Sequence, residues 1–518
     1  MGGYRVQGPV VLLILDGVGS YRPYEGNAVA FGNTPFLEKA WQTYPHTLLM
    51  ASAEYVGLPV NVQGNSEVGH TNLGAGRVVL QDLPRINKAI RDGTFFKLPG
   101  LHKTLEHVQK TGGDIHIMGC LSDGRVHSSI EHLKALLMFF KQSAPERTVY
   151  IHAFTDGRDA PPKSAATYFS QIDEFIKSHQ ISAKFATIIG RLYAMDRNFT
   201  WNYTQLAYDL MVHAKGTPAD SWKKALDIAY AQGKTDEFLM PFVLVENNNP
   251  IATVKSGDAL IAFNYRPDRM IQLTMAFVED NFNGFERGPK LENLLYVGMT
   301  RYSKRFEGKM IELFPPRYVD MPLGQLLSTY DKKQLRLAES QKFPHVTYFF
   351  NGGVNTLYPG EDRIKIPSPN VPSYDLKPEM SVYEVTNTFL KKIELNIYDF
   401  YVVNFANGDM VGHSGNLEAT KKAMEHMDKN LEKIAHAVLN RNGALIITAD
   451  HGNAEEVINQ QTGEIDTEHS IYPVPFIVVK KGERGRWVKM GKLADVAPTI
   501  LAMFGIEAPP EYTGNVLI

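Results

Sequence analysis

The sequence predicts an α/β protein in which a domain built on a mainly parallel sheet carries an inserted second α/β domain. Three observations lead there. Short apolar runs recur along the chain and end abruptly in polar residues, the pattern of buried parallel strands whose carboxyl ends open onto a site. An amphipathic helical stripe joins two of these runs as a crossover would. Residues suited to binding metal gather around 16 to 70 and 409 to 469, while arginines at strand ends dominate the middle of the chain.

Taken in order, Pro9-Val-Val-Leu-Leu-Ile-Leu runs into Asp16-Gly, Val149-Tyr-Ile-His-Ala-Phe into Thr155-Asp-Gly-Arg-Asp, and Ala186-Thr-Ile-Ile-Gly into Arg191. Ala259-Leu-Ile-Ala-Phe runs into Asn264-Tyr-Arg-Pro-Asp-Arg, Phe400-Tyr-Val-Val into Asn404-Phe-Ala-Asn-Gly-Asp, and Ala444-Leu-Ile-Ile-Thr into Ala449-Asp-His-Gly. Ligands of open α/β sheets bind outside the carboxyl ends of strands, so the recurrence speaks to function as well as fold. From Glu418 to Asn440, residues Ala423, Met427, Leu431, Ile434 and Val438 recur at steps of four and three, forming one apolar helical face that Asn442-Gly443 should stop. The strands flanking it should be parallel.

If the metal-suited end segments form one domain, it spans residues 1–81 and 317–518, and residues 82–316 are the insert. Crossings then fall near Val79 to Arg85 and near Pro315-Pro316, where prolines argue against continuous secondary structure.

Composition excludes several classes. A formal net charge of -2 over 518 residues leaves no broad basic surface, so nucleic acid is not an expected partner. The apolar run Val10 to Leu15 is too short to cross a bilayer, so no membrane is expected either. The start, Met1-Gly-Gly-Tyr-Arg-Val, lacks the Ser or Thr of a myristoylation pattern, and no charged stretch precedes a long apolar one. The single cysteine, Cys120, rules out an intramolecular disulfide and a thiolate metal cage; its apolar context makes it a buried structural thiol. Together these point to the cytoplasm.

The metal candidates are the sharpest chemical signal. Asn407-Gly-Asp-Met-Val-Gly-His sets Asp409 and His413 four apart, on one face if the segment turns helically. Singly, that Asp reads as a helix cap and that His as a surface residue. Asp450 and His451 directly follow a buried strand, where an unpartnered polar pair would carry a desolvation cost. His469 alone would be a loop histidine, and Asp16 alone a strand-end turn residue. Their conjunction carries the case. Aspartates and histidines in such number suit Mn²⁺, Zn²⁺ or Co²⁺ better than Mg²⁺. Two such ions can clamp the attacking and leaving oxygens of an in-line phosphoryl displacement.

Ser66 lies in Gln63-Gly-Asn-Ser-Glu-Val-Gly-His, where a loop enters a helix. Its plain reading is an N-cap serine. The alternative is a nucleophile whose hydroxyl a metal ion would activate, with the helix N-terminus favouring a phosphate on it. The glycine spacing is not that of a hydrolase elbow, and no general-base triad stands out. In the middle segment Arg158, Asp159, Arg191, Arg197, Arg266 and Arg269 sit at strand ends and suit a small, doubly anionic substrate. Each taken alone would be an ordinary salt bridge. His127, in Ser122-Asp-Gly-Arg-Val-His-Ser, could hydrogen-bond substrate or be a satisfied structural histidine, and Lys342 reads by default as a surface lysine.

These motifs, taken in order, resemble the cofactor-independent phosphoglycerate mutases of the alkaline phosphatase superfamily. The likeness runs from Leu15-Asp-Gly-Val-Gly through Gly64-Asn-Ser-Glu-Val-Gly-His, Asp156-Gly-Arg-Asp-Ala-Pro-Pro, Arg266-Pro-Asp-Arg and Asn407-Gly-Asp-Met-Val-Gly-His to Thr448-Ala-Asp-His-Gly-Asn. It implies an alkaline-phosphatase-like three-layer domain that holds metal, with the insert binding substrate. It implies one ion on Asp409, His413 and His469 and another on Asp16, Ser66, Asp450 and His451. It further implies that His127, Arg158, Asp159, Arg191, Arg197, Arg266, Arg269 and Lys342 contact substrate. The expected cofactors are two divalent ions, Mn²⁺ first, with Co²⁺, Mg²⁺ or Zn²⁺ as alternatives, and no bisphosphoglycerate. The expected chain is a monomer that interconverts 3-phosphoglycerate and 2-phosphoglycerate in glycolysis and gluconeogenesis. Ser66 would carry the phosphoserine, Asp159 would handle the proton and Lys342 would stabilise charge. A metal-dependent phosphomonoesterase with the same serine is the nearest rival reading.

Overall fold

The computed structural model describes residues 5–518, so the Met1 to Tyr4 part of the N-terminal pattern lies outside the described residues. The chain divides into two compact units, Met1–Gln81 with Arg317–Ile518, and Asp82–Pro316. Pro84 does not interrupt secondary structure at the first crossing as its ring would suggest: it lies in the first turn of the helix Asp82–Arg91, where the missing N–H forfeits no hydrogen bond.

The first unit is built on an eight-stranded sheet. From one edge its order is Glu361–Ile366, Gln334–Glu339, Phe400–Phe405, Val10–Leu15, Ala444–Thr448, Val474–Lys480, His46–Met50 and Gly491–Lys492. The first five strands are mutually parallel, and Val474–Lys480 runs antiparallel to both neighbours. Every residue of the central strand Val10–Leu15 is buried, so this layer is covered on both faces. That is why its sequence is continuously apolar and does not alternate.

The helix Leu417–Asn440 is the predicted crossover. The Asn416 carboxamide caps it by accepting from the Ala419 N–H at 3.1 Å. Ala423, Met427, Leu431, Ile434 and Val438 are all buried; each of the larger side chains contributes roughly 1.5–3 kcal/mol through burial. Asn442 ends the helix in the left-handed region, at φ 53°. The strands that it links are parallel, with Val10–Leu15 seated between them.

In the second unit the strand order is Ile311–Phe314, Leu295–Thr300, Ala259–Ala262, Ile115–Leu121, Val149–Thr155, Ala183–Gly190, Phe242–Glu246 and Thr217–Ala219. The first six are parallel, and Phe242–Glu246 is antiparallel to Ala183–Gly190. All six apolar runs picked out in the sequence are therefore strands with parallel neighbours. Cys120 is buried in this sheet, and burial raises its thiol pKa well above the ordinary value.

A polar chain crosses four strand positions inside this otherwise apolar layer. His116 Nε2 lies 3.2 Å from Asp258 Oδ2, His116 Nδ1 lies 2.9 Å from His152 Nε2, and His152 Nδ1 lies 2.8 Å from Thr187 Oγ1. With the carboxylate as terminal acceptor, the Nδ1–Nε2 contact between the two imidazoles excludes the doubly protonated pair. Burial, with the second imidazole beside it, holds His152 well below its ordinary value, and burial takes His132 to about 3.

Neutral histidines of this kind favour the fold above the unfolded value near 6.5, and their contribution is lost as pH falls below it because the unfolded chain binds the proton first. Protection of amides in Ile115–Leu121 and Val149–Thr155 should weaken by on the order of 1 kcal/mol per pH unit per histidine below that point. Hydrogen exchange corrected for its intrinsic pH dependence would check this, and equal protection at neutral and mildly acid pH would contradict it.

Candidate functional site

In the first unit, four adjacent parallel strands deliver chemistry to one edge of the sheet. Asp16 follows Val10–Leu15, Asp409 follows Phe400–Phe405, Asp450 and His451 follow Ala444–Thr448, and Lys342 follows Gln334–Glu339. His469 precedes the antiparallel strand Val474–Lys480, which brings it to the same edge. Asp409 and His413 lie at opposite ends of a short helical turn, with His413 Nε2 3.2 Å from Asp409 Oδ1.

Ser66 opens the helix Ser66–Ala75 but is not its cap. Asn65 is, its side chain accepting from the Val68 N–H at 3.0 Å. The serine hydroxyl is thereby free of the backbone. Gly69 lets this helix approach the strand end: a Cβ there would sit 2.5 Å from the Asp450 carbonyl oxygen and 2.7 Å from its Cβ. Gly17, at φ +72°, likewise turns the chain past Asp409.

The hydroxyl sits among charged groups. Ser66 Oγ is 3.1 Å from Asp16 Oδ1, 2.9 Å from His451 Nε2 and 2.6 Å from Lys342 Nζ. Lys342 Nζ also reaches Asp16 Oδ1 at 2.7 Å and Asp409 Oδ2 at 2.6 Å. This lysine is 3% exposed, so its default reading as a surface residue is overturned; the polar run Glu339-Ser-Gln before it cannot reveal that three strand ends close over the side chain. Burial opposes charge on both partners, yet the Lys342 ammonium holds Asp16 and Asp409 well below the usual carboxylate range. In return Asp16, Asp409 and Asp450 push Lys342 up against the same desolvation.

The histidines are oriented for a cation. His413 Nδ1 faces the Thr467 carbonyl at 2.7 Å, His469 Nδ1 the Gly64 carbonyl at 2.9 Å, and His451 Nδ1 the Gly452 carbonyl at 3.1 Å. A carbonyl can only accept, so each Nδ1 carries hydrogen and each neutral ring turns an Nε2 lone pair inward. The Nε2 atoms of His413 and His469 stand 3.0 Å apart, both within 3.2 Å of Asp409 Oδ1. Two lone pairs at that distance repel unless a proton or a cation lies between them. Asp450 Oδ2 is buried, 3.1 Å from His70 Nδ1 and 3.6 Å from His451 Nε2. These donors fit divalent cations. Without one, burial would lower His451, but Asp450, Asp16 and Asp409 raise it to about 10.

All seven metal candidates are thus brought together, with His451 Nε2 also 3.7 Å from Asp409 Oδ1. Among the described residues of this unit, the groupings that could hold an ion are Asp409 with His451 and His469, and Asp16 with His70 and Asp450; a third, Asp114 with His116 and Asp258, lies in the second unit. His70 was missed in the sequence although it closes the Gly-Asn-Ser-Glu-Val-Gly-His motif; its step of four from Ser66 places both on one helix face.

The second unit gathers the arginines at the carboxyl ends of Ala259–Ala262, Ile115–Leu121, Val149–Thr155 and Ala183–Gly190, again adjacent strands. Arg191 is 2% exposed and donates to Asp156 Oδ1 at 2.7 Å and to Asp159 Oδ2. His127 Nε2 lies 3.6 Å from Asp159 Oδ2, and burial with Arg191 and Arg266 lowers its pKa to about 4. Its Nδ1 is buried without a hydrogen-bond partner among the described residues. Arg266 grips Asp268 with Nε at 3.0 Å and Nη2 at 3.3 Å, and Arg197 reaches the same carboxylate at 3.1 Å. Arg269 donates to the Met195 carbonyl at 3.0 Å, while Arg158 pairs with Glu237 at 3.3 Å on the exposed side. The roles of Asp156 and Asp268 as internal partners of these cations were not legible in sequence.

Comparison with known proteins places these features. Residues 86–304 match the family model described as BPG-independent PGAM N-terminus, and residues 317–484 match Type I phosphodiesterase / nucleotide pyrophosphatase. The chain is 47% identical over 98% of its length to a 2,3-bisphosphoglycerate-independent phosphoglycerate mutase of Clostridium beijerinckii, covering 99% of that protein. The corresponding protein of Desulforudis audaxviator is 47% identical with the same coverages, 98% and 99%. A solved phosphoglycerate mutase of Leishmania mexicana, studied at low cobalt concentration, superposes with a TM-score of 0.63 at 29% identity, covering 99% of this chain and 98% of that one. The fold is an alkaline-phosphatase-like α/β domain with an inserted second α/β domain.

Replacing Lys342 by Met would leave the Asp16 and Asp409 carboxylates buried without their shared cation. In chelator-treated protein this should destabilise the first unit by about 3–5 kcal/mol. Urea unfolding would show it, and the loss should shrink when Mn²⁺ is added; no difference from the parent protein would contradict the assignment.

Proposed function

The chain belongs to the 2,3-bisphosphoglycerate-independent phosphoglycerate mutases and interconverts 3-phosphoglycerate and 2-phosphoglycerate, and from that premise we propose that Ser66 is the residue that carries the phosphoryl group. The observation behind this is the Ser66 hydroxyl, uncapped and within 3.1 Å of Asp16 Oδ1, His451 Nε2 and Lys342 Nζ together. One divalent cation is assigned to Asp409, His413 and His469 and a second to Asp16, Ser66, Asp450 and His451. Bound there, Mn²⁺ by preference and Co²⁺, Mg²⁺ or Zn²⁺ otherwise would lower the hydroxyl pKa and neutralise charge on the transferring group.

The side chains set up two displacements. Ser66 Oγ, its proton released to solvent, attacks phosphorus in line while the bond to the glycerate oxygen breaks and that oxygen takes a proton from Asp159, which enters as the acid, giving phosphoserine and glycerate. The Lys342 ammonium, fixed by two carboxylates, stabilises charge on the phosphoryl group and the departing oxygen. Arg191, Arg197, Arg266 and Arg269, with Arg158 and His127, hold the glycerate carboxylate while the molecule reorients. The second hydroxyl then attacks the phosphoserine, and Asp159 accepts its proton. By microscopic reversibility the same carboxyl gives a proton to the oxygen that leaves in the first displacement. A neutral His127 beside Asp159 suits this role, since it adds no competing charge. The exchange calls for no bisphosphoglycerate.

Ser66→Ala should abolish turnover while leaving metal binding and unfolding close to the parent protein; retained turnover would remove the covalent step. With 3-phosphoglycerate the parent protein should yield 2-phosphoglycerate and no free phosphate, with or without added bisphosphoglycerate. Phosphate release at the rate of substrate loss would instead make it an esterase.

Metal affinity should rise with pH. His451, raised to about 10, and His413, raised by Asp409, bind protons that a cation must displace. Apparent affinity for Mn²⁺ should therefore climb up to about tenfold per pH unit for each proton released, between roughly pH 6 and 9. Calorimetry in buffers of different ionisation enthalpy would count the protons, and a count of zero would contradict the assignment.

A further inference from the structure

Behind the Ser66 site lies a second buried layer. Asn404, at the end of the strand Phe400–Phe405, directs its Nδ2 both to Asp16 Oδ2 at 2.7 Å and to His70 Nε2 at 3.1 Å. His70 Nδ1 is 2.9 Å from the Ser66 carbonyl and 3.1 Å from Asp450 Oδ2. Asn404, His70, Asp16 and Asp450 are all 0% exposed, so no solvent can substitute for a missing partner.

Only one arrangement of hydrogens satisfies these contacts. Asp16 can only accept at 2.7 Å, which fixes the amide nitrogen of Asn404 on that side; the reversed amide would set oxygen against carboxylate. The same NH₂ group supplies its second hydrogen to His70 Nε2, which must then be the acceptor. The proton of a neutral His70 therefore sits on Nδ1, aimed at the Ser66 carbonyl and the Asp450 carboxylate. Among the described residues the buried Asn404 Oδ1 has no hydrogen-bond partner, so it is the two N–H groups, not the carbonyl, that this position serves.

We propose that Asn404 and His70 are positioning residues of the phosphoryl-transfer site, holding Asp16 Oδ2 and the Ser66 carbonyl from behind so that Asp16 Oδ1 and the Ser66 hydroxyl face the chemistry. This rests on the reading of Ser66 as the nucleophile. The pair ties the first turn of the helix Ser66–Ala75 to the strand ends that supply Asp16 and Asp450, so nucleophile and carboxylates keep one mutual geometry.

The hydrogen arrangement is open to direct measurement. In Zn²⁺-loaded protein labelled with ¹⁵N-histidine, the His70 ring, assigned by its loss in His70→Gln, should carry hydrogen on Nδ1 and none on Nε2. That tautomer is the minority form of free imidazole side chains. A ring protonated on Nε2, or doubly protonated, would overturn the proposal. Asn404→Ala should weaken Zn²⁺ binding or kcat by about 10–100-fold with KM for 3-phosphoglycerate little changed, as expected for a group acting through a ligand. Zn²⁺ affinity and kcat both equal to the parent values would overturn it as well. Because the tautomer is read without turnover, an active Ser66→Ala variant would sink the nucleophile assignment while leaving the His70 measurement to stand or fall separately.

Discussion

The structure of the first unit turns on one electrostatic problem: three aspartates from three adjacent strands, Asp16, Asp409 and Asp450, meet in a volume from which water is largely excluded. Carboxylates that close repel strongly at low dielectric, and burial alone would protonate them. Lys342 answers part of the problem by bridging two of them at 2.6–2.7 Å. The inward Nε2 atoms of three histidines and the buried Asp450 carboxylate mark where further positive charge belongs. The close helix approach permitted by Gly69 and the left-handed turn at Gly17 follow from the need to crowd these groups onto one hydroxyl.

The second unit solves the inverse problem with the same architecture. Its strand ends gather guanidinium groups, and each is steadied by an internal acceptor: Asp156 and Asp159 for Arg191, Asp268 for Arg197 and Arg266, Glu237 for Arg158, a backbone carbonyl for Arg269. Such pairing keeps long side chains converged before any ligand arrives, at the modest strength typical of half-exposed ion pairs. Both units place their chemistry at the carboxyl edge of parallel strands because those edges collect short loops from neighbouring strands, which distant sequence positions then share. A chain of nearly balanced net charge can thus hold one strongly acidic and one strongly basic cluster.

How much of this the sequence disclosed depends on the range of each interaction. The six apolar runs and the Leu417–Asn440 helix were legible because burial on both faces of a sheet and the 3.6-residue period are written locally. Asp409 with His413, and Asp450 with His451, were legible because each pair is close in sequence. Lys342 was legible only through the family resemblance, since nothing near Ala338-Glu-Ser-Gln signals that Asp16 and Asp409 will surround it. Asn404 ends a recognised strand and His70 ends a recognised motif, yet their partnership spans 334 positions and exists only in the fold. Asp268 lay in plain view between two arginines and was passed over because a surface carboxylate is the commonplace reading.

The one-residue difference between cap and nucleophile shows how finely the local chemistry is divided. At the N-cap, a serine side chain accepts from the N–H two or three residues on and is held there. Asn65 takes that duty, which moves Ser66 to the first helical position. There its carbonyl joins the helix and is held by His70, while its hydroxyl projects from the N-terminus toward Asp16, His451 and Lys342. The unpaired N–H groups and partial positive charge of a helix N-terminus favour a phosphoryl group at that place. A serine one position earlier would cap the helix and lose its freedom to react; one position later, the 100° helical step would turn it away from the carboxylates. The Asn-Ser order therefore joins the stability of the helix to the reactivity of the hydroxyl without asking one side chain to serve both.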